Sequence, residues 1–126
     1  MQKLTYIIIG LLVLVGIVYI IVAPGRVKVG KYDSFATCIK DSGAVVYGAF
    51  WCPHCQAEKA LFGSSAHLLP YVECSTPDGQ GQTQVCKDKG IVEYPTWQFA
   101  NSTSTTPGQL ELSQLAEKTG CQLPTK

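Results

Sequence analysis

Charge is scarce in this chain, and what there is balances. Ten Lys and Arg stand against nine Asp and Glu, a formal net charge of +1 at pH 7. From residue 26 onward the two signs are equal, nine and nine. A nucleic-acid partner needs a basic face, and this composition cannot build one. A polybasic membrane-surface role fails on the same ground. Histidine is rarer still, with only His54 and His67. One Cys-x-x-Cys is present, with no second one and no spaced His pair, so a zinc site would lack half its ligands. No metal and no cofactor are expected. Internal repeats are absent.

What the chain does have is one long apolar run and six cysteines. Residues 4–23 carry no charge. As a helix such a run spans roughly 30 Å, the hydrocarbon core of a bilayer. Signal-peptide apolar regions are shorter, and Val22-Ala23-Pro24-Gly25 holds no Ala-x-Ala cleavage site. No cysteine follows directly, which argues against a lipoprotein signal. The reading is a transmembrane anchor at 1–23, a linker at 24–32 and one domain at 33–126. A soluble part of about 100 residues builds only a modest core, so cross-links would help it.

Along that domain, Asp33 is expected to cap a helix to about Lys40, with Phe35, Cys38 and Ile39 on one face. Residues 44–50 read as a central strand buried on both sides. A second helix starts near Cys52, with Pro53 in its first turn, Leu61 and Phe62 inward, and Gly63 as its stop. Residues 68–74 read as a strand, 75–82 as a loop, and 83–89 as a short helix closed by Gly90. Residues 96–100 and 106–110 pair as a hairpin, and 112–119 form a last helix capped by Gly120. This order belongs to a compact α/β domain.

The chemistry concentrates in Trp51-Cys52-Pro53-His54-Cys55. Two cysteines three apart share one face of a helix and can close and reopen a disulfide. A thiolate attacks disulfides, and a helix N-terminus or nearby positive charge favours the thiolate. Cys52, at the helix start, is therefore the expected nucleophile. His54 can add a donor or a charge. Cys55, a turn deeper, is the expected resolving thiol. Trp51 is expected to shield one side of the pair. A purely structural Cys52–Cys55 bridge would constrain almost nothing. About forty residues later, Tyr94-Pro95-Thr96 precedes a strand. Proline there lacks a ladder donor, and a cis bond is the way to keep it. It is expected to pack against the two cysteines.

These residues resemble the thioredoxin family. Phe50-Trp51-Cys52-Pro53-His54-Cys55 and Tyr94-Pro95-Thr96-Trp97 look most like the thioredoxin-like domains associated with bacterial and archaeal vitamin K epoxide reductase homologues. Tyr47-Gly48-Ala49-Phe50, Pro70-Tyr71-Val72-Glu73-Cys74, Cys86 and Leu115-Ala116-Glu117-Lys118-Thr119-Gly120 fit the same subgroup. The resemblance implies a thioredoxin fold, a central mixed sheet flanked by helices, behind the N-terminal anchor. It implies Cys52 as nucleophile, Cys55 as resolving thiol, and a substrate groove at Tyr94, Pro95 and Thr96. Pro53-His54 is also the dipeptide of a strong periplasmic oxidant. One departure matters. The family's buried aspartate, six residues before the first motif cysteine, is here Val46. Glu58 or water is left to take the resolving thiol's proton.

The other four cysteines belong to 15 possible pairings of six. Cys74 and Cys86 bracket the polar loop, and a bridge there would add about 3 kcal/mol. A second redox pair is the functional alternative. Cys38 and Cys121, in the first and last helices of the domain, would staple its ends. So many cysteines point to an oxidising compartment. Arg26, Lys28 and Lys31 after the apolar run, against Lys3 before it, point the other way by the positive-inside rule. Cysteine chemistry outweighs this short count, placing the domain on the extracytoplasmic side of a cytoplasmic membrane. The expected function is disulfide formation or exchange in exported, cysteine-containing client proteins. Reoxidation would fall to a quinone-linked membrane partner of the vitamin K epoxide reductase type. The alternatives are a reductant fed by a transmembrane electron carrier, and a redox-inactive metal- or protein-binding module.

Overall fold

The computed structural model describes residues 1–22 and 29–125. Residues 24–28 of the expected linker, with Arg26 and Lys28, lie outside that range, as does Ala23 at the end of the expected anchor. Helix α1, Gln2–Val22, carries no charge after Lys3, with a mean hydropathy of 2.3 over Gln2–Ile20. Length and composition of this kind fit a membrane span or a signal sequence.

Helix α2 spans Asp33–Asp41 and buries Phe35, Ala36 and Ile39. Two expectations are corrected here. Tyr32, not Asp33, is the N-cap, and the Asp33 carboxylate accepts the Gly30 N–H at 2.8 Å. The Ser65 hydroxyl chiefly, and then the Gly30 N–H, hold the carboxyl below its usual range. Cys38 is exposed, and Ala36 takes the buried place beside Phe35. The chain then turns at Gly43, with φ +79, where a side chain would be strained.

Strand β1 is Val45–Gly48, shorter than the expected 44–50 because Ala49 begins the turn into helix α3, Pro53–Phe62. A 3-10 helix, Gly63–Leu68, continues α3 and was not anticipated. Strand β2 is Tyr71–Glu73, helix α4 is Gln84–Asp88, and strands β3 and β4 are Thr96–Gln98 and Thr105–Pro107. Helix α5, Leu112–Thr119, ends at Gly120 in the left-handed region.

The sheet has the order β2-β1-β3-β4. β1 runs parallel to β2 and antiparallel to β3, and β3 is antiparallel to β4. The parallel pair needs a crossover, which α3 and the 3-10 helix supply. Alternation along β1 then sorts the core. Val46 joins Phe35, Ile39, Phe62, Trp97 and Leu115 on one face, while Tyr47 joins Cys74, Cys86 and Ile91 on the other. Phe35 stacks on Phe62 at 5.9 Å between ring centres. Leu61 sits at the edge of this core rather than inside it. A mixed four-stranded sheet flanked by helices is a thioredoxin-like α/β fold.

Two disulfides close the domain. Cys38 is bonded to Cys121, 83 residues apart, and Cys74 to Cys86, 12 apart.

Candidate active site

The end of β1 delivers the chain to Ala49, Phe50 and Trp51, and Cys52 is the N-cap of α3. Pro53 occupies the first helical position, where a missing N–H costs nothing. The Cys52 side chain therefore stands at the positive end of the helix dipole, beside N–H groups with no partner inside the helix. Cys52 and Cys55 are free thiols, 6% and 2% exposed. Burial, more than anything else, pushes the Cys55 thiol up to about 12, and its neighbour Cys52 adds to this. The Ala49 amide and the Lys59 charge pull it partly back. Cys55 is thus held protonated at neutral pH.

The Tyr94–Pro95 peptide bond is cis. Pro95 and Thr96 are buried, and the Thr96 hydroxyl donates to Glu93 O at 2.7 Å. Across from the helix start, Tyr94 O lies 3.5 Å from Cys52 Sγ and accepts its S–H. The structure thereby brings Cys52, Cys55 and Tyr94 into one cluster with Ala49. The remaining disulfide cysteines lie elsewhere. Cys74 and Cys86 are fully buried on the far face of the sheet, and Cys38–Cys121 ties α2 to the segment after α5.

Trp51 is half exposed, with its ring edge-on to Tyr94 at 6.1 Å. Its indole N–H donates to Ser75 Oγ at 2.8 Å. Loop 75–82 thus supports it, with Gly79 close to the Trp51 and Phe50 side chains. Phe50 is also half exposed, so two aromatic side chains flank the thiols at the surface. His54 is exposed beside them.

Glu58, suggested with water as a proton acceptor, makes two hydrogen bonds away from the thiols. One carboxylate oxygen accepts Trp97 Nε1–H at 3.3 Å and the other the Leu110 N–H at 3.0 Å. It is 1% exposed, and that burial pushes its carboxyl up to about 7 against the pull of these two donors. It joins α3 to β3 and to the entry of α5.

Reasoning from sequence passed over Tyr71, Glu73 and Lys59. Lys59 Nζ lies 3.4 Å from the centre of the Tyr71 ring, a cation–π contact. The Tyr71 hydroxyl donates to Glu73 Oε2 at 3.4 Å. Glu73 Oε1 accepts the N–H groups of Phe50 and Ser75 at 3.2 and 2.9 Å, tying the segment before Cys52 to the loop under Trp51. The signal for them was Gly48, a glycine inside a strand, which marks a close approach. Among the described residues no three His, Cys, Asp or Glu side chains converge on a metal position.

A thioredoxin-like fold with two free thiols at a helix start defines a class. The chain is 40% identical over 95 residues to the thiol-disulfide oxidoreductase LTO1 of Arabidopsis thaliana, an alignment covering 71% of this chain and 24% of that protein. It is 32% identical over 66 residues to human protein disulfide-isomerase A2, covering 49% of this chain and 13% of that one. The chain thus spans a quarter or less of the length of these curated relatives. No protein-family model matches it.

Proposed function

We propose that this protein is a membrane-anchored thiol–disulfide oxidoreductase that makes or exchanges disulfides in exported proteins. The reading rests chiefly on the dithiol at the start of α3, with Cys52 beside Tyr94 O and Cys55 buried behind it. The names of the two relatives support the same chemistry. In the oxidising direction, a client thiolate attacks Cys52 Sγ of the Cys52–Cys55 disulfide and Cys55 leaves with a proton. A second client thiolate then attacks its own sulfur in the mixed disulfide and frees Cys52. The client loses two electrons and the pair gains them. Reoxidation reverses the roles: Cys52 attacks the disulfide of a partner, and Cys55 then closes on Cys52. A quinone-linked membrane oxidoreductase of the vitamin K epoxide reductase type fits that role, because α1 would hold the domain near the bilayer. Peptide clients would lie along Tyr94, Pro95 and Thr96, with Phe50 and Trp51 offering apolar contact. Cysteine content argues for the extracytoplasmic side. A second reading, a cytoplasmic reductant, draws on Arg26, Lys28 and Lys31 after the apolar run.

Alkylation tests the assignment. In the reduced protein at about pH 6, iodoacetamide should modify Cys52 well ahead of Cys55. Cys52→Ser should abolish turnover, and Cys55→Ser should trap mixed disulfides with clients. Equal labelling of the two cysteines would refute the division of roles.

A further inference from the structure

When Cys52 is bound in a mixed disulfide, its sulfur cannot take the proton from Cys55. That proton must still leave before Cys55 can attack. Val46 offers no acceptor, and each oxygen of Glu58 already accepts one hydrogen bond, from Trp97 and from Leu110. On the opposite side stands Gly48. A Cβ built there would lie 2.8 Å from Cys55 Sγ and 2.7 Å from Tyr71 Oη. Both heteroatoms therefore border one methyl-sized space that only glycine leaves open. The parallel register sets this up, because it pairs Gly48 with Glu73 and Val46 with Tyr71 on the neighbouring strand.

We infer that the Tyr71 hydroxyl and the Glu73 carboxylate form a proton relay for Cys55, passing through the space beside Gly48. The inference rests on the reading of Cys55 as the resolving thiol. A tyrosine hydroxyl can accept one hydrogen bond while donating another. In the resolving step the Cys55 S–H bond breaks and its proton goes to Tyr71 Oη. The original Tyr71 proton moves to Glu73 Oε2. Cys55 Sγ then bonds to Cys52 Sγ, and the thiolate of the client or partner departs with the electron pair. When the client reduces the Cys52–Cys55 disulfide, the same path returns a proton to the departing Cys55. Tyr71 acts as a neutral carrier, since burial raises its pKa well above the ordinary value. Lys59 fixes the ring and supplies a positive charge that favours the Cys55 thiolate. The charged or titratable groups nearest Cys55 are Cys52, Glu58 and Lys59 along its own helix and Tyr71 on β2, with Glu73 bonded to Tyr71. Catalytic hydrogen bonds are commonly longer in the resting protein and tighten as the reaction proceeds.

A two-step thiol titration tests the relay. The reduced full chain, in detergent, is mixed with excess dithionitrobenzoate, an aryl disulfide. Attack by Cys52 releases the first coloured thiolate, and closure by Cys55 releases the second. Tyr71→Phe keeps the ring under Lys59 and deletes the hydroxyl. Glu73→Gln keeps Oε1 for the Phe50 and Ser75 amides and replaces only the oxygen that faces Tyr71. At about pH 6 each variant should slow the second release about tenfold or more while the first keeps its rate. The deficit should shrink as pH rises and hydroxide takes over. An unchanged second release in both variants overturns the relay, as does a deficit independent of pH. If Tyr71→Phe does not fold, Glu73→Gln decides. A wild-type protein that releases only one equivalent overturns the Cys52–Cys55 reading, and the relay with it.

Discussion

The Cys38–Cys121 disulfide offers a clean test of what holds this small domain together. Cys38 is exposed on α2, so Cys38→Ala removes little apart from the cross-link. Surface truncations of that kind ordinarily change stability by about 0.5 kcal/mol or less. The bond spans 83 residues, nearly the whole domain. In the chain-entropy treatment, freeing a loop of that length costs about 4.5 kcal/mol, against about 3 kcal/mol for the 12-residue Cys74–Cys86 loop. A domain of about 100 residues has only some 5–15 kcal/mol of stability, so the loss is a large share of the total. Urea unfolding at neutral pH, read by fluorescence of the buried Trp97, should show the midpoint falling and the slope rising as the unfolded chain expands. The melting temperature should drop by about 20 °C or more. A cost under about 1 kcal/mol for Cys38→Ala would refute the argument and mean that packing of α2 and α5 holds the ends without the bond.

Glu58 gives a pH-dependent prediction. Its folded-state pKa of about 7 lies above its ordinary 4.5, so its contribution is complete below about pH 4.5 and is lost as pH rises through 7. The unfolding free energy from urea titration should fall between about pH 5 and pH 8, by up to about 3 kcal/mol, and Glu58→Gln should flatten that slope; stability that rises over this window would contradict it. Membrane sidedness is tested by a membrane-impermeant maleimide on intact cells or spheroplasts after mild reduction. Labelling of Cys52 without lysis supports the extracytoplasmic placement, and labelling only after lysis favours the reductant reading.

The fold was legible where hydrophobic pattern and punctuation agreed. Residues 44–50 read as a strand because an apolar run of that length suits burial on both faces of a sheet, and Val45–Gly48 form one. Leu112–Thr119 reads as a helix because its apolar spacing ends at Gly120. Boundaries were less visible. Residues 68–74 yielded a strand of only three residues, since Gly63–Leu68 folds as a 3-10 helix with no apolar period to announce it. Asp33 looked like a cap because its residue type favours that role, yet its carboxylate reaches back to Gly30 instead. Cys38 looked inward because it lies three residues beyond Phe35. In fact the helix faces the core through Phe35, Ala36 and Ile39, and the disulfide reaches Cys121 from the rim.

The candidate site divides in the same way. Cys52, Pro53 and Cys55 are neighbours in sequence, so helix geometry alone places them together. The meeting of Tyr94 with Cys52 is long-range but rests on a proline that a strand entrance rarely admits. Tyr71, Glu73 and Lys59 are different, because no spacing links them to Cys55. They converge only through the register of two parallel strands and the absence of a side chain at Gly48. Register is set by which face of a strand is buried, so a shift by one residue would turn Tyr71 away from the gap. Glu58, suggested from sequence together with water as a proton acceptor, illustrates the converse. It sits one helical turn from Cys55, but the long-range bonds that hold its carboxylate, to Trp97 and Leu110, could not be read from that spacing.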